Sequence, residues 1–162
     1  MRNISLLSGI VHEHADARSI PRALMDRLVE VESDWDQWAV RYEPQYTAVV
    51  DVVEYANHNR TTPATENVLQ KCSWGPCQVL GATARRLGYT GPLPQLADPH
   101  INVALAALLL AELRNHGVHH RSWRWVITAY NHGPGWEQIN PRWDRAGYTS
   151  QYYAVLAELG EG

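Results

Sequence analysis

The stretch PRALMDRLVEVES, residues 21–33, has the periodicity of an amphipathic helix. Ser19 is a candidate N-cap, and Pro21 suits the first turn. At about 100° per residue, one face of this helix collects the apolar side chains. These are Leu24, Met25, Leu28, Val29 and Val31. We therefore predict a helix from about Pro21 to about Ser33 whose apolar face packs into a core.

Glu32 interrupts this pattern. It follows Leu28 by one turn, so its carboxyl group projects from the middle of the apolar arc, whereas Glu30 falls on the polar side. Burial of a carboxylate is costly unless it is paired or protonated, and it raises the pKa towards the range of a general acid. Glu32 is therefore a proton-donor candidate. The alternative is a side chain that bends out to water or caps a neighbouring element.

Composition and charge restrict the functional classes. A chain of 162 residues, 45% hydrophobic and 19% charged, is typical of one globular domain. A formal net charge of −3 without a basic run argues against a nucleic-acid partner. No histidine pair has Asp, Glu or Cys at a metal-ligand spacing, so we expect neither a metal nor another cofactor.

The N-terminus does not have the pattern of a secretory signal. Its apolar part, residues 4–11, is short, and HEHAD separates it from a cleavage-like Ala-Asp-Ala. No apolar stretch approaches the roughly 20 residues of a membrane span, so we expect no membrane insertion. We predict an N-terminal extension at 1–20 and a single domain at 21–162.

Further helices are predicted along the chain. The irregular segment after Ser33, closed by Pro44, is expected to form a cleft wall beside Glu32. The valine spacing predicts a helix from Tyr46 to about Asn57, with a strand as the alternative. Residues 57–67 have a loop composition and could form a mobile flap.

The second half has clearer helix signals. Gly75 and Pro76 predict a turn into a helix that ends at Gly88, with Gln78 in its first turn. Asp98 is expected to cap a long helix to about His116, and Ser122 caps one that ends near Asn131. A last helix ends at Gly160. Since only residues 58–72 leave room for strands, we predict a mainly α fold.

Four separated motifs carry a family resemblance. They are Glu32-Ser33, Gly75-Pro76-Cys77-Gln78, Ala129-Tyr130-Asn131 followed by Gly133-Pro134-Gly135, and Tyr152. In this order, over about residues 21–156, the chain resembles the soluble lytic transglycosylases, which have a lysozyme-like helical fold. Pro76 and Cys77 depart from the family's Leu and Met. The span before Cys72 is also longer than expected, so residues 44–72 are a predicted insertion.

The resemblance implies cleavage of the β-1,4 bond between N-acetylmuramic acid and N-acetylglucosamine in peptidoglycan, without water, giving 1,6-anhydro ends. Glu32 would be the single general acid and base. Gln78 and Asn131 would bind N-acetylated sugars, and Tyr130 and Tyr152 would line the cleft, with Tyr152 orienting Glu32. Ser33 and Ser73 are further candidates.

Structural roles are the alternatives at three of these positions. Tyr130 can be a core residue, Asn131 a helix cap and Gln78 a satisfied turn residue. Cys72 and Cys77 are close enough in sequence for a disulfide that closes the cleft loop, and two free thiols are the alternative.

Rival functions follow from the same residues. A hydrolytic muramidase would need a second carboxylate, for which Asp34, Asp36, Asp51 and Glu54 are available. A non-catalytic peptidoglycan-binding component of a phage particle or secretion apparatus is another class. All of these place the protein at the bacterial cell wall.

Overall fold

The computed structural model describes residues 4–117, 121–133 and 147–161. These residues are mainly helical, which confirms the predicted class. The α-helices are α1 Ile4–Asp16, α2 Arg22–Ser33, α3 Val52–His58, α4 Pro63–Gln70, α5 Gly81–Arg86, α6 Pro99–Arg114, α7 Trp123–His132 and α8 Tyr153–Glu158. Short 3₁₀ helices lie at Leu93–Ala97 and Thr149–Tyr152. In the described part of the chain, no helix is both long enough and apolar enough to cross a membrane.

A small antiparallel sheet accompanies the helices. Its strands are β1 Val40–Tyr42, β2 Cys72–Trp74 and β3 Val79–Leu80, in the order β1-β2-β3. The prediction that strands fall within residues 58–72 was wrong for nearly all of that segment, where α4 lies. Thr62 caps α4 by accepting a hydrogen bond from the Thr65 amide, and Pro63 occupies the first turn. These are strong helix-start signals in a segment whose composition resembles a loop.

Helix α2 follows its predicted bounds closely. Leu24, Met25, Leu28 and Val29 are fully buried, as the apolar arc predicts. Ser19 is not the cap, because Pro21 occupies the N-cap position and makes no side-chain capping bond. The helix ends where Asp34 adopts a left-handed conformation with φ of 51°, and this turn sends the chain towards β1.

Helix α6 lies at the centre of the core, between α1 and α7. Its start at Asp98, which accepts a hydrogen bond from the His100 amide, confirms the predicted cap. Ser122 likewise caps α7, through the Trp125 amide. Helix α1 contributes Leu7, Ile10, Val11 and Ala15 to the same core. The proposed boundary at residue 20 and the insertion at 44–72 remain predictions.

Two helices begin later than predicted. The helix expected from Tyr46 begins at Val52, because Gln70 bonds both backbone groups of Val50, at 2.7 Å each, and holds this segment outside a helix. The helix expected after Pro76 begins only at Gly81, so Gln78 lies in a turn between two strands. The loop predicted at 57–67 is shortened by the start of α4.

A buried ion pair joins α4 to α5. The Arg85 guanidinium donates to both carboxylate oxygens of Glu66, at 2.8 and 3.2 Å, and both side chains are essentially inaccessible to water. Arg85 also donates to the carbonyls of Tyr89 and Gly91, and Gln70 donates to Glu66. Each charged group therefore has several hydrogen-bond partners, as burial of charge requires.

Candidate active site

Glu32 lies in the last turn of α2, where the helix meets the loop towards β1. Its carboxyl group is largely withdrawn from water, and this burial raises its pKa. A hydrogen bond from Tyr148 and the positive charge of Arg41 oppose the rise without cancelling it. The side chain can therefore keep its proton at a pH where ordinary glutamates have lost theirs.

Two tyrosines approach this carboxyl group in series. The Tyr148 hydroxyl donates to Glu32 Oε1 at 2.5 Å, and the Tyr152 hydroxyl donates to the Tyr148 oxygen at 2.9 Å. Their ring centroids are 5.3 Å apart, and Tyr152 is fully buried. Burial raises the pKa of both phenols, so both remain hydrogen-bond donors. Because Tyr148 accepts from Tyr152, its own proton is directed to Glu32.

The turn between β2 and β3 lies against the end of α2. Ser33 Oγ donates to the Pro76 carbonyl at 2.8 Å and to the Val29 carbonyl at 3.2 Å. It also accepts a hydrogen bond from the Asp36 amide. Ser33 therefore ties the helix that carries Glu32 to the turn and to the following loop.

Gly75 permits this turn. Its φ of 68° is left-handed, and an added Cβ would lie 2.5 Å from the Leu96 carbonyl oxygen and 2.7 Å from Asn102 Nδ2. The buried Asn102 side chain donates to the Trp74 carbonyl and accepts from the Cys77 amide, at 2.8 and 2.9 Å. The turn is therefore anchored to α6 at both ends.

Gln78 closes the same turn in a left-handed conformation, with φ of 49°. Its Nε2 donates to the Gly75 carbonyl at 2.9 Å and to the Ala39 carbonyl at 3.1 Å. The Ala39 oxygen also accepts from the Gly75 amide at 2.8 Å. Gln78 thus binds the start of β1 to the turn.

Helix α7 reaches the turn from the other side. The Tyr130 hydroxyl donates to the Cys77 carbonyl at 2.8 Å, and burial raises the pKa of this phenol well above its usual value. Negative charge on the Glu32 carboxylate adds to that rise. Asn131 follows on the exposed side of the last turn of α7.

The comparison with known families agrees with this arrangement. The model of the transglycosylase SLT domain matches residues 9–152. The chain belongs to this family. Neither the curated proteins nor the solved structures gave a match to the chain. SLT domains have a lysozyme-like helical fold, which confirms the predicted architecture, and they act on the peptidoglycan of the cell wall with lytic transglycosylase-type activity.

Three of the candidate residues are bonded through their side chains to the turn between β2 and β3. Ser33, Gln78 and Tyr130 donate to carbonyl groups of this turn. Glu32 accepts a hydrogen bond from Tyr148, and Tyr152 donates to Tyr148. Asn131 is exposed, whereas Ser73 is buried in β2. The last two residues of the third motif, Pro134 and Gly135, lie outside the described residues.

Tyr148 was missed in the sequence. It, and not Tyr152, donates directly to Glu32. The one signal available was its spacing, because Tyr148 precedes Tyr152 by four residues and shares its side of a helical turn. The hydrogen bond to Glu32 that an orienting role requires is made by Tyr148, and Tyr152 donates to Tyr148.

Both cysteines of the SLT domain are free and buried. Cys72 donates weakly to the Val68 carbonyl at 3.4 Å, and burial raises the pKa of the Cys77 thiol. Of the two alternatives, the structure therefore has two free thiols, and Cys77 is fully buried. Among residues 4–117, 121–133 and 147–161, no group of three His, Cys, Asp or Glu side chains could hold a metal ion.

The four acidic residues that a hydrolytic muramidase could use as its second carboxylate lie in two places. Asp34 and Asp36 belong to the loop after α2, and the Asp36 carboxylate accepts a hydrogen bond from the Trp38 amide at 3.0 Å. Asp51 and Glu54 line an open hollow on α3 together with Val52, Val53 and Asn57.

Proposed function

We propose that this SLT domain cleaves the bond between N-acetylmuramic acid and N-acetylglucosamine without water and leaves a 1,6-anhydro end. Glu32 acts as the only general acid and base. The observation that carries this proposal is the desolvated Glu32 carboxyl group, whose pKa is raised while one of its oxygens is fixed by Tyr148. Such an acid is protonated before the reaction and has a defined orientation.

The Glu32 carboxyl group acts twice, first as a proton donor and then as a proton acceptor. In the first step it passes to the glycosidic oxygen while the bond from that oxygen to C1 breaks, and the N-acetyl oxygen of the substrate stabilises C1. In the second step the Glu32 carboxylate takes the proton of the sugar's own 6-hydroxyl group as its oxygen bonds to C1. After the second step Glu32 is protonated again, and no second carboxyl group of the protein takes part.

Tyr148 distinguishes the two carboxylate oxygens. Since it donates to Oε1, we assign the transferred proton to Oε2. The same bond stabilises the carboxylate that forms after the first step, which favours proton release. Tyr152 donates to the Tyr148 oxygen, so the Tyr148 proton points to Glu32 and not to Tyr152.

The proposed sugar contacts use atoms that the fold leaves available. Gln78 Nε2 is engaged with two backbone carbonyls, so its Oε1 is the atom that would accept the N–H of an N-acetyl group. Asn131 is exposed, and we assign its amide to the same purpose. Tyr130 would contact sugar through its ring, because its hydroxyl group serves Cys77.

Product masses test the reaction. Purified sacculi digested with the protein are expected to give muramic ends one water lighter than reducing ends. Reducing ends would instead identify a hydrolytic muramidase. The Glu32→Gln variant is expected to lose at least about a thousandfold in rate, because both proton transfers are removed. The matched control is Glu30→Gln, which changes an exposed carboxylate two residues away on the same helix.

The same variants separate enzyme from binding component. Parent protein that binds sacculi without releasing fragments would show that the site has no chemistry. A Glu32→Gln variant as fast as the parent would show that another group is the catalyst.

A further inference from the structure

Strand β1 is the outer strand of the sheet, and its side chains point to solvent. Val40 and Tyr42 are each 51% exposed, and Arg41 between them faces the opposite side of the strand. In the register, Arg41 lies opposite Ser73. Hydrogen bonds from Gly75 and Gln78 to the Ala39 carbonyl fix the start of this strand to the active-site turn.

Arg41 lies within electrostatic reach of the catalytic carboxyl group. Its positive charge lowers the pKa of Glu32, in opposition to burial. Arg41 follows Ala39 by two residues, and the Ala39 carbonyl is bonded to the same turn that Ser33, the neighbour of Glu32, contacts. In the segment 34–43 it is the one Lys or Arg, among Asp34, Asp36 and Glu43. Arg41 is therefore the one positively charged side chain that this segment offers to an anionic ligand.

The ion pair between Arg41 and Glu43 is weak. Arg41 Nε donates to Glu43 Oε1 at 2.6 Å, but the two side chains are 65% and 36% exposed. Exposed ion pairs of this kind contribute little to stability, because water and salt screen them. A carboxylate from a ligand can therefore replace Glu43 at small cost, and the planar guanidinium fork suits such a carboxylate.

We propose that Arg41 determines substrate specificity by binding a carboxylate of the stem peptide on the muramic sugar, with Glu43 as the group it releases. This inference rests on the proposed function, because it places the muramic sugar beside Glu32. Stem peptides are covalently attached to that sugar and carry free carboxylates. Glu43 competes with them, so the pair favours chains with anionic stems over bare glycan.

Binding in the Glu32→Gln background tests this assignment without requiring catalysis. Two soluble fragments of equal chain length are compared by calorimetry, one with intact stems and one with stems removed by an amidase and the lactyl carboxylates that this exposes converted to amides. Adding Arg41→Gln is expected to weaken binding of the stem-bearing fragment about tenfold, the effect of losing one charge-assisted contact. Binding of the bare fragment should stay within about twofold.

Three further measurements complete the test. Arg41→Lys should recover part of the affinity, since a lysine keeps the charge without the fork. Glu43→Gln should tighten binding of the stem-bearing fragment alone, because it removes the competitor. Stems whose carboxylates are converted to amides should bind the parent background as weakly as the Arg41→Gln variant binds normal stems.

Equal losses on both fragments would overturn the proposal, since Arg41 would then contact sugar or act through position 32. Absence of any loss, or failure of the stem-bearing fragment to bind at all, would overturn it too. Failure of the proposed chemistry is seen separately, in the product masses from the unmodified protein.

Discussion

At the scale of single residues, opposing effects set the acidity of Glu32. Burial raises its pKa, while the Tyr148 hydrogen bond and the Arg41 charge lower it. A general acid that must later act as a base needs an intermediate value, because the same group has to release a proton and recover one. The neighbours of Glu32 therefore matter as much as its burial.

Tyr148→Phe removes the bond that favours the carboxylate, so the pKa of Glu32 should rise further. In the pH profile of kcat/KM, the limb on which activity falls with loss of the acid proton should move to higher pH. Activity at the optimum should fall roughly tenfold to a hundredfold, which corresponds to the loss of one hydrogen bond to a charged group, about 1.5–3 kcal/mol.

Tyr153→Phe is the control for this change, because Tyr153 is the exposed neighbour of Tyr152 and its hydroxyl lies outside the series. Tyr152→Phe should shift the profile in the same direction by less, since it acts through Tyr148. An unchanged profile in Tyr148→Phe would show that this hydroxyl group does not influence Glu32.

At the scale of elements, the turn from Gly75 to Gln78 joins α2, α6, α7 and β1. Gly75→Ala should lower the free energy of unfolding by about 2–4 kcal/mol, from left-handed strain together with overlap with the Leu96 carbonyl and Asn102. Chemical denaturation measures this value. Gly88→Ala is the control, because Gly88 has φ of 87° with no atom near the added Cβ.

The control isolates the steric part of the effect. Gly88→Ala should cost about 1 kcal/mol, from the left-handed conformation alone. If the two variants lose the same stability, the close approach of Gly75 to Leu96 has no energetic weight.

Elements specified by local signals were predictable. Asp98 and Ser122 are the N-caps of α6 and α7. These starts were predictable because each cap accepts a hydrogen bond from an amide only two or three positions away. The strands were not predictable, because two- or three-residue strands have no measurable period and exist through pairing across long separations. The prediction that Gln78 lies in a helix was wrong for the same reason, since a contact across a long separation decides its conformation. Its left-handed turn depends on Ala39, which is distant in sequence.

The catalytic candidate was predictable for a related reason. Glu32 disturbs a local apolar pattern, and such a disturbance is visible without any tertiary information. For Tyr148 the sequence offered only its spacing from Tyr152, and its contact is with a residue 116 positions away. The sequence therefore indicated Glu32 as a candidate acid and did not indicate the group that donates to it.

At the scale of the whole molecule, the buried pair of Glu66 and Arg85 joins two helices away from the active site. Glu66→Gln should lower the free energy of unfolding by about 3–5 kcal/mol, because it leaves the Arg85 charge buried without its counter-charge. Thermal and chemical unfolding measure the loss. Cleavage below the unfolding temperature should continue, since Glu66 does not contact Glu32.

Glu112→Gln is the matched control, because the Glu112 pair with Arg86 is about half exposed on both sides. Its effect should stay within about 0.5 kcal/mol. A loss as large in Glu112→Gln as in Glu66→Gln would mean that burial does not govern these ion pairs.

The raised pKa of Glu32 also implies a trade-off between activity and thermodynamic stability. Below the pKa of the unfolded chain, this residue is protonated in both states and adds no penalty. As pH rises towards and through the folded-state value, the native protein holds a proton that the unfolded chain has released, and the stability contributed by this group is lost. The inactive Glu32→Gln variant should thus melt at a higher temperature than the active protein at neutral pH, and the advantage should vanish in acid.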